Sequence, residues 1–158
     1  MSHKNFFLIA SSVLVLASCT GNKKVASHTT FETPVIKDFA HSLKDRVFYA
    51  FDSSELSAES KATLDHQAEW MKSHGHASYK IEGHADERGT REYNIALGER
   101  RAHGVKKYLI SKGLDAGQLH VVSFGKEKPA VLGHDEQAWA QNRRSVVITE
   151  EGTKHHKE

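Results

Sequence analysis

The densest run of reactive side chains is Glu82-Gly83-His84-Ala85-Asp86-Glu87-Arg88-Gly89-Thr90, continuing as Asn94-Ile95-Ala96-Leu97-Gly98-Glu99-Arg100-Arg101-Ala102. A carboxylate at 86 and a guanidinium at 101 suit a ligand that is itself zwitterionic. The aspartate can take an ammonium, and the arginine fork can take a carboxylate at two points. If the second run is helical, Asn94, Leu97 and Arg101 stand at i, i+3 and i+7, on one face within two turns. Seven helical residues cover about 10.5 Å, so Asp86 in the preceding loop and Arg101 in the helix can flank one shallow site. Each residue has a plainer alternative: Asp86 as the cap of the following helix, Arg101 as an internal salt-bridge arm. Arg100 could exchange roles with Arg101, although the register with Asn94 favours Arg101. The pair Arg143-Arg144, entering a strand, reads as satisfying carboxylates or loop carbonyls.

Catalytic chemistry fits these residues poorly. His84, Asp86, Glu87 and His103 suggest a metal hydrolase only in part. There is no His-Glu-x-x-His, and no separate cluster supplies a third ligand. The serines and histidines form no nucleophile-elbow pattern. The expectation is a binding protein with no enzymatic activity, no metal and no cofactor.

The elements that must position the site follow from periodicity. Arg46 to Phe51 is a β-rich run with Val47, Tyr49 and Phe51 on one face and Phe48 and Ala50 on the other, which predicts a strand covered on both sides. Asp52-Ser53-Ser54 breaks it. Ser57 can cap a helix reaching about His74, with Leu64, Ala68 and Met71 at i, i+4 and i+7 and Gly75 beyond its end. Tyr79 to His84 alternates as a second strand. The polar loop Ala85 to Thr90 leads into a helix from about Arg91 to Lys112, whose apolar side is Leu97, Val105, Tyr108 and Leu109 and which Gly113 terminates. Val121 to Phe124 is a third strand, Glu136 to Gln141 a short helix, and Ser145 to Thr149 a fourth strand. Strands separated by helices predict an α/β sandwich, sheet on one side and helices on the other.

The N-terminus reads as an export signal. Lys4 precedes Phe6 to Ala17, which is apolar apart from Ser11 and Ser12 and too short to span a bilayer, since a helix needs about 20 residues. Leu16-Ala17-Ser18-Cys19 follows directly and resembles the lipobox of bacterial lipoproteins. That resemblance implies cleavage after residue 18 and acylation of Cys19, a lasting anchor. Thr20 in place of an aspartate implies sorting to the outer membrane. Residues 19–44, rich in Ser, Thr, Lys and His and without sustained periodicity, read as a flexible tether. They are followed by a domain over 45–150 and a disordered tail over 151–158.

Composition agrees with one such domain. The 158 residues are 38% hydrophobic and 27% charged, in the range of a globular domain with a modest core. A net charge of +2, with bases and acids interleaved, gives no field for a polyanion, so nucleic acid is not expected as a partner. One Cys excludes an internal disulfide.

The motifs taken together resemble a known family. Gly83 to Thr90, Glu92-Tyr93-Asn94-Ile95 and Leu97-Gly98-Glu99-Arg100-Arg101-Ala102 are similar to the central motif of the peptidoglycan-associated lipoproteins within the OmpA-like family. Phe51-Asp52, Gly125-Lys126-Glu127-Lys128-Pro129, Gly133-His134-Asp135-Glu136 and Asn142-Arg143-Arg144 fall in the same order, so the resemblance spans about 46–149. It implies a β-α-β-α-β(α)β sandwich with a four-stranded mixed sheet and helices on one face. It further implies binding of the diaminopimelate-containing stem peptide of peptidoglycan, with Asp86 and Arg101 on the diaminopimelate side chain and Phe51, Asp52, Asn94 and Leu97 lining the groove. Ser53 stands where many relatives have Lys, which leaves that position only a backbone role. The resemblance also implies contact with TolB and TolA in a Tol envelope system that links outer membrane to cell wall and acts at cell division. The alternative is an envelope lipoprotein that binds protein partners only; cosedimentation with purified sacculi separates the two.

Overall fold

The computed structural model describes residues 45–74 and 77–150. The expected signal segment, Cys19, the tether, Gly75 and the C-terminal tail lie outside the described residues. The elements are β1 (Arg46–Phe48), α1 (Ala58–Ser73), β2 (Ser78–His84) and α2 (Arg91–Ser111). A short 3₁₀ turn (Ala116–Gln118) follows, then β3 (Leu119–Gly125), α3 (Glu136–Asn142) and β4 (Arg144–Glu150). The sheet order is β1-β4-β2-β3, with β2 and β3 parallel and both other pairings antiparallel. The α/β class, the mixed four-stranded sheet and the order of the elements agree with the sequence reading. No described helix is long and apolar enough to cross a membrane.

Local chemistry accounts for the helix ends. Ser57 accepts from the Ser60 N–H at the start of α1, and Thr90, not Asp86, accepts from the Tyr93 N–H at the start of α2. Beyond α2 the chain turns at Gly113 with φ of +94°. Leu64, Ala68 and Met71 of α1 and Ala102, Val105 and Leu109 of α2 meet Tyr79 and Ile81 of β2, Leu119 of β3 and Val147 of β4 in one buried cluster. Each large apolar side chain so buried contributes about 1.5–3 kcal/mol.

The first strand corrects the sequence reading. Its regular part stops at Phe48; Val47 and Tyr49 are buried, whereas Phe48, Ala50 and Phe51 are exposed. The reason is topological. β1 pairs with β4 at the sheet edge, and the helices meet it on the face of Val47 and Tyr49, so the side chains pointing the other way have no cover. The chain then leaves the sheet in a turn at Asp52, whose φ of +54° is left-handed. Phe51 is thereby a turn residue and not a strand residue.

Helix α2 lies very close to β2, and two glycines make that possible. A Cβ on Gly83 would stand 1.9 Å from the Gly98 carbonyl oxygen, and one on Gly98 would stand 2.4 Å from Ser123 Oγ. This contact sets the height of α2 above the sheet, and with it the positions of the three α2 residues singled out from the sequence.

Candidate functional site

Asp86 follows directly after β2, in a loop fastened from several directions. The Ala85 N–H donates to the Gly125 carbonyl at 2.8 Å. Asn94 reaches back from α2 and donates to the carbonyls of Arg88 (2.8 Å) and Thr90 (3.0 Å). Lys126 Nζ donates to those of Glu87 (3.1 Å) and Gly89 (2.7 Å). A loop so held presents its side chains in one arrangement.

A pocket of about 180 Å³ opens beside this loop. Phe51, Asp52, Asp86, Asn94, Leu97 and Arg101, the six residues expected at the site, all line it, joined by Ala85, Arg88, Gly89 and Tyr93. Leu97 is buried and forms an apolar patch of the wall, whereas the Phe51 ring is 60% exposed at the rim. Asp52 accepts from the Tyr93 hydroxyl, which raises the Tyr93 pKa and closes the side of the pocket between the β1–α1 turn and α2.

Arg101 is wholly buried, at 0% exposure. Its Nε donates to Ser53 O at 2.7 Å, Nη1 to His84 O at 2.7 Å and Nη2 to Ala50 O at 3.3 Å. The guanidinium also stacks 4.8 Å from the centre of the Tyr49 ring. Arg101 is therefore an internal arm toward carbonyls, pinning the β1–α1 turn to the end of β2, as well as part of the pocket lining. Three of its five N–H groups are taken. Burial pushes its pKa down to about 10, so it stays charged at neutral pH and sets a fixed positive charge beneath the pocket. Ser53 meets Arg101 through its carbonyl, the backbone role left to it by the sequence, while its hydroxyl accepts from the Glu55 N–H at 3.1 Å.

Asp86 is 4% exposed and surrounded by cations. Arg88 Nη2 donates to its Oδ2 at 2.6 Å and Arg88 Nε to its Oδ1 at 3.2 Å, while the Arg88 backbone N–H also donates to Oδ1. Arg143 Nη1 donates to Oδ2 at 3.3 Å. Burial alone would raise the Asp86 pKa, but the hydrogen bonds from Arg88 and Arg143 outweigh it and hold the carboxyl below its ordinary value.

Two residues that the sequence reading set aside or left unassigned thus shape the site. Arg143 is tied to Tyr49 O (3.0 Å) and Glu136 (2.6 Å) besides Asp86, and its neighbour Arg144 donates to the carbonyls of Asn142 and Lys128. Arg88 lies between two aromatic rings, 4.0 Å from the centre of Phe51 and 4.1 Å from that of Trp139. Trp139 in turn donates to Glu87, which also pairs with His134. The Asn-Arg-Arg run ahead of β4 was the available signal for Arg143. Nothing local marks the ring slot around Arg88, because its walls come from separate elements.

His84, considered above as a metal ligand, is buried with its ring against Phe124. Among the described residues no three His, Cys, Asp or Glu side chains gather as a metal site.

Residues 48–143 match the model of the OmpA family. The peptidoglycan-associated lipoprotein of Haemophilus influenzae is 44% identical over 144 residues, spanning 89% of this chain and 94% of that protein. The protein of the same name from Rhizobium meliloti is 41% identical over 143 residues, 85% of this chain and 81% of the relative. Among solved structures, the peptidoglycan-associated lipoprotein of Burkholderia pseudomallei superposes with a TM-score of 0.65 at 44% identity, covering 67% of this chain and 90% of the other.

Proposed function

The chain belongs to the OmpA family, and from that premise we propose that its domain is a non-catalytic peptidoglycan-binding module. The ligand is the distal end of diaminopimelate in the stem peptide, which carries an ammonium and a carboxylate on one carbon. Asp86 pairs with the ammonium. Arg101 supplies the fixed positive charge toward which the carboxylate faces. Asn94 and Leu97 form the wall, with Phe51 and Asp52 at the rim. The observation that carries this reading is the convergence of these six residues on one pocket in a chain whose relatives are named for peptidoglycan association.

The wider role extends the same reading. Cys19 is acylated, the chain is anchored in the outer membrane with its domain toward the periplasm, and binding ties that membrane to the wall. A Tol system, with TolB and TolA as protein partners and a part in cell division, would use the same domain.

Cosedimentation with purified diaminopimelate-type sacculi tests the central claim. Wild type should pellet, and folded Asp86→Ala should bind at least about tenfold more weakly, because a lost charge-assisted interaction costs about 1.5–3 kcal/mol and 1.4 kcal/mol is one decade. Wild type remaining in the supernatant would show a partner-only protein.

A further inference from the structure

An ionised carboxylate has about four acceptor positions on its two oxygens, and on Asp86 all four are filled. The Arg88 backbone N–H and Nε hold Oδ1, and Arg88 Nη2 and Arg143 Nη1 hold Oδ2. A ligand ammonium has no place to land until a donor leaves. The backbone N–H belongs to the fastened loop. Arg143 is buried and bound at its other nitrogens to Tyr49 O and Glu136. The Arg88 side chain is the donor most easily released: it is 30% exposed, its other ion pair, to Glu136 at 3.8 Å, is long and solvent-exposed, and its slot between Phe51 and Trp139 has a rim ring, Phe51, that is itself largely in solvent.

We propose that a zwitterionic ligand enters by ion-pair exchange. Its ammonium replaces the Arg88 guanidinium on Asp86, and the released guanidinium, tethered two residues away, pairs with the ligand's carboxylate. This rests on the pocket being the seat of the diaminopimelate terminus, and it makes Arg88 a residue that determines specificity. One internal pair is opened and two intermolecular pairs form, so no charge is left without a partner. A monocation such as the lysine side chain opens the same internal pair and returns only one contact, leaving Arg88 with no carboxylate but the solvent-exposed Glu136. Arg88 therefore acts as a competitor that every cation must displace and that only a zwitterion repairs. The discrimination should be about tenfold, the lower end of what a charge-assisted hydrogen bond supplies, because the rim is wet.

Calorimetric titration of the purified protein with soluble stem tripeptides ending in diaminopimelate or in lysine tests this. Two variants, Arg88→Met and Arg88→Gln, remove the charge while keeping a side chain in the slot; either suffices if circular dichroism shows that the other has not folded. The expected result is that the variant binds the lysine peptide several-fold more tightly than wild type, and that the preference for diaminopimelate falls from about tenfold to less than about threefold. Equal weakening of both peptides, as a mere packing role would give, overturns the exchange, and so does an unchanged preference. Wild type that binds sacculi yet shows no preference overturns the exchange alone. Wild type that binds neither peptide nor sacculi overturns the proposed function with it.

Discussion

Replacing Arg101 by Met removes both of its roles, as a charge under the pocket and as a fastener of the fold, and replacing it by Lys keeps the charge without the planar fork. Its guanidinium is wholly buried and gives hydrogen bonds of 2.7, 2.7 and 3.3 Å to Ser53, His84 and Ala50 carbonyls. Hydrogen bonds to a charged group contribute about 1.5–3 kcal/mol each. The two short ones dominate, and removing a buried charge also removes its desolvation cost. The net loss should be about 3–4 kcal/mol, a large share of the roughly 5–15 kcal/mol that holds a domain folded. With a urea slope of about 2 kcal/mol per M, the midpoint should fall by about 1.5–2 M. Arg101→Lys should recover part of this, since one ammonium cannot reach all three carbonyls from its single position. The assay is urea unfolding followed by fluorescence, with stem-peptide binding measured well below the transition. If Arg101→Met unfolds within about 0.3 M of wild type, the three hydrogen bonds do not fasten the fold and the reasoning fails.

Two further effects follow from buried groups. Burial, with Arg144 nearby, pushes His84 down to about 4, so between about pH 6.5 and 4 the unfolded chain binds a proton that the folded chain refuses. The neutral ring's contribution is complete above pH 6.5 and is lost as pH falls through that window, by about 3 kcal/mol at 1.36 kcal/mol per pH unit; His84→Gln should flatten this part of the stability–pH curve, and equal slopes for both proteins would refute it. Gly83→Ala places a Cβ against the Gly98 carbonyl, a backbone atom that can yield only if α2 lifts; the cost should be about 2 kcal/mol, or a fall of roughly 10 °C in thermal midpoint, and a midpoint within about 2 °C of wild type would contradict the close contact.

Much of the fold was legible because periodicity and caps agreed. Leu64, Ala68 and Met71 after Ser57 located α1 to within a residue, and the alternation around Ile81 located β2. The misreading at Phe51 came from β propensity, which reports nothing about where the chain leaves the sheet. Phe51 shares the alternation of buried Val47 and Tyr49, and the left-handed turn at Asp52 takes it out of the strand. The site was legible where side-chain type and helical register sufficed, as for Asn94, Leu97 and Arg101. It was not legible where partners are main-chain carbonyls, as for the hydrogen bonds of Arg101, since every residue carries a carbonyl. Arg88 was missed for a related reason. Its slot is built from Phe51 on the first turn and Trp139 on the third helix, and no spacing rule connects the two.

The route by which a mechanical force would cross the molecule follows from where β1 stands. A pull applied at Asp45 and resisted in the pocket runs only through residues 45–53 before it reaches the pocket wall. Along that stretch the chain is secured by the Val147 N–H on Asp45 O, the β1–β4 ladder, the Tyr49 N–H on Arg143 O and the grip of Arg101 on Ala50 and Ser53. Helix α1 adds the Ser60 hydroxyl on Phe48 O at 3.3 Å, while strand β3 does not pair with β1. How long such a link lasts under tension is then a matter of how fast these few bonds rupture in sequence, a rate and not an equilibrium stability. A variant could keep its full folding free energy and still slip early under tension if β1 alone were weakened.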